Sequence, residues 1–162
     1  MIGVCSQRGA GTTITVLFPV YEGAARERAE EPAEGRWRRG TGTVLIVDDE
    51  AAVRAVAATA LTEAGYAVAE ASDGDEALSV LGSVAGPIRA ILLDVTMPIR
   101  DGYSTLAELR KTHPEVPVLL SSGLPTDLGP LRGDARVRLL RKPYSPSELT
   151  RAVAECADLA AE

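Results

Sequence analysis

Five short apolar runs, each followed by an amphipathic stretch, begin at Thr43 and leave this chain few ways to fold. The runs are "TVLIV" (43–47), "AVAEA" (67–71), "AILLD" (90–94), "VPVLLSS" (116–122) and "VRLLR" (137–141). Their length suits buried strands. Between and after them lie "EAAVRAVAATALTEAG" (50–65), "DGDEALSVLG" (73–82), "GYSTLAELRKT" (102–112) and "SPSELTRAVAECADLA" (145–160), whose apolar residues recur at helical spacing. A glycine stops the first helix, and a serine cap with proline opens the last. Strands that alternate with helices pair in parallel through right-handed crossovers, so the sheet is covered on both faces. The expectation is an α/β fold with a five-stranded parallel sheet over 43–160. "GLPTDLGPLRGDA", between the last two strands, is broken by Gly129-Pro130 and Gly133, so a helix there should be short or irregular.

Ahead of this domain, "YEGAARERAEEPAEGRWRRGTG" (21–42) loses its apolar periodicity and carries Pro32 and glycines 23, 35, 40 and 42, which is linker composition. Residues 1–20 form a separate short unit. The hydrophobic share of 46% and charged share of 25% fit a water-soluble domain, and no apolar run reaches the roughly 20 residues that span a bilayer. No secretory leader is apparent at Met1, so the expected compartment is the cytoplasm, with no membrane contact by this chain. Cys5 and Cys156 lie at opposite ends and show no metal-type spacing; free thiols are expected. A net charge of −6 opposes nucleic-acid binding, and the one dense basic cluster, Arg36-Trp37-Arg38-Arg39, sits among glutamates in the linker.

In open parallel sheets, ligands gather beyond the carboxyl ends of the strands. The first strand delivers Asp48-Asp49-Glu50 to that edge, the third Asp94, the fourth Ser121-Ser122 and the fifth Arg141-Lys142-Pro143. Three converging carboxylates repel one another unless a cation sits among them. With Lys142 they leave two negative charges, which one divalent ion neutralises, and hard oxygen donors suit Mg2+ better than zinc. For Asp48 and Asp49 alone, capping of the following helix is an equal account. Lys142 is one of only two lysines, and a lysine at such an edge offers a compact point charge for a phosphate.

The ordered set "VLIVDDE", "ILLDVTMPIRDG", "VLLSSG" and "LLRKPYS" resembles the receiver domain of bacterial response regulators. The resemblance runs from Thr43 to about Ala160 and implies a flavodoxin-like fold with strand order 2-1-3-4-5. It implies that Asp94 accepts a phosphoryl group from a phosphohistidine on a histidine kinase or a histidine phosphotransfer protein. It further implies that Asp49, Asp94 and the Thr96 backbone carbonyl bind Mg2+, with Asp48 acting through a water. Lys142 and Ser122 would hold phosphoryl oxygens, Gly123 would leave room for the group, Pro98 and Gly102 would shape the loop after Asp94, and Lys142-Pro143 would be cis. Such chemistry needs positioning and charge stabilisation more than covalent participation by the protein. Kinase activity is not expected of this chain alone, although the acceptor could lose its own phosphate. One departure from the pattern is Leu139, where many receivers carry an aromatic switch residue. His113, the only histidine, reads as a solvated loop residue and not as a phosphodonor.

"RGAGTTITVLFPV" (8–20) resembles a phosphate cradle only superficially: Thr12-Thr13 follow Gly11 where a P-loop needs lysine, and a β-rich run follows where a helix is required. Residues 2–20 resemble instead the closing hairpin of a histidine-kinase ATP-binding domain, as in a hybrid sensor kinase. An incidental hairpin is the alternative reading. Lone hairpins are marginal in water, so association through the exposed edge, including a homodimer, stays open. Two other functional classes compete with the phosphoacceptor: an interaction module that signals without phosphorylation, and an inactive fragment of a hybrid kinase. The first predicts loss of a site position, and none is lost. A transcription regulator is not expected, because no DNA-binding segment follows the last helix.

Overall fold

The computed structural model describes residues 2–18, 40–84, 86–98, 100–123 and 133–159. The chain divides into two compact units, Met1–Arg36 and Trp37–Glu162.

In the first unit, β1 (Ile2–Gln7) pairs antiparallel with β2 (Gly11–Val16), Ile2 opposite Val16 and Gln7 opposite Gly11. The glycines of the opening motif serve the turn. Gly9 and Gly11 have φ of 84° and 96°, a region that side chains disfavour, and Ala10 N–H donates to Gln7 C=O. Strand alternation puts Ile2, Val4, Ile14 and Val16 on one face and Cys5, Thr13 and Thr15 on the other.

The second unit runs β3 (Thr43–Val47), α1 (Ala51–Glu63), β4 (Ala67–Ala71), α2 (Gly74–Ser83), β5 (Ile88–Asp94), α3 (Gly102–Thr112), β6 (Val118–Ser122), β7 (Val137–Arg141) and α4 (Pro146–Asp158). The five strands are parallel, in the order β4-β3-β5-β6-β7, which is the order the resemblance implies. The helix expected between β6 and β7 falls largely on 124–132, outside the described residues. The expected linker lies outside them too, apart from 40–42, which bond to the sheet unit: Gly40 N–H donates to Ala64 C=O and Ala67 N–H to Gly42 C=O.

Local chemistry sets the helix ends. Asp73 accepts from the N–H groups of Asp75 and Glu76, Asp101 from Ser104, and Ser145 forms a reciprocal capping box with Glu148. Gly65, at φ 100°, ends α1 in a turn where Tyr66 N–H reaches back to Leu61 C=O. Every residue of β3 and β6 is buried. One sheet face packs Leu45, Val47, Leu93 and Leu120 against Leu81 of α2 and Leu106 and Leu109 of α3. The other packs Val44, Ile46, Leu92 and Leu119 against Leu61 of α1 and Leu149, Val153 and Cys156 of α4. Two apolar layers fix all five strands, which leaves their carboxyl ends free to carry polar groups.

Candidate functional site

Asp48 lies one residue beyond β3 and Asp94 ends β5; the two strands are neighbours. Asp48 and Asp94 are only 4% and 6% exposed, whereas Asp49 is open to solvent. Carboxylate oxygens from Asp48, Asp49 and Asp94 lie within 4.8 Å of one another. Lys142, one residue beyond β7, reaches back over β6 so that its Nζ stands 2.9 Å from Asp48 Oδ2 and 3.1 Å from Asp94 Oδ1. Asp48 Oδ1 accepts from Glu50 N–H at 2.9 Å, which fixes that carboxylate at both oxygens.

The electrostatics are unbalanced. Burial raises the Asp94 pKa, and the Asp48 charge adds to the rise, while the Lys142 ammonium and the Thr96 N–H oppose without cancelling it. Burial would lower the Lys142 pKa, but hydrogen bonds and charge from Asp48 and Asp94 outweigh it and the pKa is raised. One ammonium thus serves two buried carboxylates, with a third beside them. Hard oxygen donors and uncompensated negative charge fit a divalent cation such as Mg2+. Cys156 is buried under α4, and burial pushes its thiol pKa up to about 12, which suits packing and not ligation.

Ser122, at the end of β6, is 1% exposed, and its carbonyl accepts from Lys142 N–H at 2.8 Å, which couples the serine to the lysine's strand end. A Cβ on Gly123 would meet only Lys142 Cβ, at 4.0 Å, so space beside the serine is open. Gly102 has the opposite constraint: its Cβ would collide with the Asp94 carbonyl oxygen and Val95 Cα. Only glycine lets α3 start so near the acidic strand end. The Lys142-Pro143 peptide is cis, as the resemblance implies. Leu139 packs partly buried against the core on the α2/α3 face. His113 caps α3 at the opposite edge of the sheet, with Nδ1 2.9 Å from Thr112 Oγ1, far in topology from the acidic groups.

All six sequence-derived site positions, Asp48, Asp49, Asp94, Thr96, Ser122 and Lys142, therefore fall at one sheet edge. Two residues of that edge, Arg54 and Tyr144, were not foreseen. Arg54 of α1 donates from Nη1 to Asp48 C=O at 2.6 Å. The Tyr144 pKa is raised by burial, with Ser121 beside its hydroxyl pulling the other way, and Ser121 Oγ itself is buried without a hydrogen-bond partner of full geometry. Next to them, an apolar groove of about 410 Å³ runs between α1 (Val53, Val56), Tyr144 in the loop after β7 and Pro146 at the start of α4.

The response regulator receiver domain family matches residues 44–154. This chain belongs to that family. The receiver is 38% identical to the sensor kinase CckA of Brucella abortus over 161 residues, 93% of this chain and 17% of CckA. It is 37% identical to the probable transcriptional regulator ycf27 of Guillardia theta, over 65% of this chain and 41% of that protein. The chain thus spans less than half the length of either relative. Among solved structures, Vibrio cholerae chemotaxis protein CheY4 superposes with a TM-score of 0.65 at 26% identity, covering 72% of this chain and 98% of that one. A response regulator receiver protein from Sinorhizobium medicae gives 0.64 at 28% identity, covering 73% and 95%. The receiver's role is that of a phosphoacceptor in two-component signalling. Receiver domains bind Mg2+ at an acidic pocket and interact with histidine kinases or phosphotransfer proteins. Among the described residues, no helix is long and apolar enough to cross a membrane.

Proposed function

We propose that Asp94 is the residue phosphorylated. An Asp94 carboxylate oxygen bonds to the phosphorus of a partner's phosphohistidine as the P–N bond breaks, and the imidazole nitrogen keeps the electron pair and takes up a proton. The observation that carries this reading is the convergence of Asp48 and Asp94 on Lys142, at 2.9 and 3.1 Å. Asp49, Asp94 and the Thr96 carbonyl would hold Mg2+, with Asp48 acting through a water. That ion supplies charge neutralisation at the transferring oxygens. Lys142 is placed to leave its carboxylate partners for a phosphoryl oxygen, Ser122 to bond another, and the space at Gly123 admits the group. Preorganised charge of this kind is the main requirement for phosphoryl transfer. Later attack of water on the acyl phosphate at the same edge would return Asp94.

The partner is a histidine kinase or histidine phosphotransfer protein in the cytoplasm. Residues 1–20 read as the closing hairpin of a kinase ATP-binding domain, residues 21–42 as a linker, and 43–160 as the receiver. The CckA match supports this layout, since 93% of the chain is more than 44–162 can supply, so the alignment takes in residues ahead of the receiver. The test is incubation with Mg2+ and acetyl phosphate followed by intact mass: the wild type gains one phosphoryl group and Asp94→Asn gains none. Absence of an adduct on the wild type, or an equal adduct on the variant, refutes the assignment. Saturable ATP binding by the chain would refute the reading of the hairpin as a tail without its nucleotide site.

A further inference from the structure

We infer that Arg54 is a positioning residue that sets the aim of Asp49 by holding the peptide between Asp48 and Asp49. The inference rests on the acidic edge being the acceptor site, and it adds a residue to that site's support.

The Asp48 main chain is where the sheet's hydrogen bonding runs out. Its N–H donates to Ala71 C=O, but the pairing of β3 with β5 ends at Val47 and Leu93, so the ladder offers no donor to the Asp48 carbonyl. A carbonyl on a residue only 4% exposed needs a donor. Arg54 supplies it, with Nη1 at 2.6 Å from a side chain 17% exposed. Glu70 of β4 lies 3.5 Å from Arg54 Nε and orients the guanidinium from the other side. The Asp48 carboxylate is held independently by Glu50 N–H and Lys142.

Asp49 differs. No side-chain hydrogen bond or ion pair is found for it among the described residues, and it is solvent-exposed, yet its carboxylate reaches the same cluster. Its direction is inherited from the peptide plane that Arg54 fixes. Arg54 is placed on α1 so that its side chain folds back toward the Asp48 carbonyl. It is four residues past the N-cap Glu50, one turn into α1. Glu70 offsets the charge, so the effect of Arg54 on a bound cation is one of ligand geometry.

The test is isothermal titration of Mg2+ into the full chain, with Mg2+-free melting as a check of folding and acetyl phosphate adduct rates as a second readout. Loss of an outer-shell support weakens metal binding by about 10-fold or more. Arg54→Ala should raise the Mg2+ dissociation constant by about 10-fold. The adduct rate should fall at limiting Mg2+ and recover to wild type at saturating Mg2+. Arg54→Lys, which keeps one donor, should lie between the two. If Arg54→Ala does not fold, Arg54→Gln decides by the same criterion. A folded Arg54→Ala or Arg54→Gln chain with the wild-type Mg2+ constant, or a rate defect that saturating Mg2+ does not repair, overturns the inference while the acceptor assignment stands. Failure of the wild type itself to bind Mg2+ or form an adduct overturns both.

Discussion

The two ends of the receiver sheet each carry a half-buried ionic cluster, and the clusters behave in opposite ways. At the amino end, Arg110 of α3 donates from Nε to Asp134 at 2.5 Å and from Nη1 to Val116 C=O at 2.8 Å, while Asp134 also accepts from Arg136 N–H. Burial would raise the Asp134 pKa, but these bonds overcome it and the pKa is lowered. At the carboxyl end, Lys142 serves Asp48 and Asp94 together, and the Asp94 pKa is raised. One guanidinium matched to one carboxylate ties the entry of β7 to α3 and stabilises the fold. One ammonium shared among crowded carboxylates leaves charge unanswered, which keeps a place for a cation and a phosphoryl group. Buried charge is thus spent on rigidity at one end and held in reserve at the other.

The largest effect expected is a split at Asp94. Asp94→Asn should abolish the acetyl phosphate adduct and, without Mg2+, make the receiver more stable to urea by about 1 kcal/mol, because a desolvated charge is removed. A variant that loses the adduct and also loses stability would end the contrast. Arg110→Ala should do the reverse. It takes the Arg110 donor from Val116 C=O, leaves Asp134 with the Arg136 N–H and no guanidinium, and should cost about 2 kcal/mol in the same urea titration, with the adduct still formed at saturating Mg2+.

A smaller effect separates the two by pH. Asp134, with its folded pKa below the ordinary value of about 3.9, contributes stability that is present above that value and lost as pH falls through the folded pKa. Asp94, with its folded pKa raised, carries a penalty that is present at neutral pH and relieved as pH falls through the folded pKa toward about 3.9. Stability measured against pH without Mg2+ should fall less steeply toward acid in Asp134→Asn than in the wild type, and should lose less between acid and neutral pH in Asp94→Asn; parallel curves for both variants would contradict the pairing. Least of all, Lys111→Ala should leave the melting temperature unchanged, since the Lys111–Glu108 pair, at 2.8 Å, lies in solvent on α3. A measurable shift there would show that surface pairs, too, carry weight in this fold.

Much of this was legible in the sequence. The strands at 43–47, 67–71 and 137–141 and the helix at 102–112 have the bounds read from apolar runs and turn residues. Errors of one or two residues elsewhere fall at ends that hydrogen bonding decides: β6 begins at Val118 and not Val116, because Val116 N–H turns back to His113 C=O. The acidic edge was legible because site positions follow strand ends, and strand ends are marked by the last apolar residue before a polar one. Arg54 was not, because nothing in "EAAVRAVAATALTEAG" tells a guanidinium in solvent from one folded back on a carbonyl six residues earlier. Tyr144 was missed for a similar reason: it reads as an ordinary residue of the turn after β7.

The opening motif shows the same division. The sequence determined by itself that "RGAGTTITVLFPV" could not cradle a phosphate in a P-loop, since that needs a lysine and a helix, and that its glycines permit a tight turn. It also determined the parallel sheet, because burial on two faces writes continuous apolar runs. Only the tertiary structure decided which charges share a partner, for the Lys142 ammonium and the Asp48 carboxylate lie 94 positions apart. Their 2.9 Å approach depends on how β3, β5, β6 and β7 stack. Periodicity encodes which face of an element is buried, but the distance between two strand ends is set by the packing of all the elements between them.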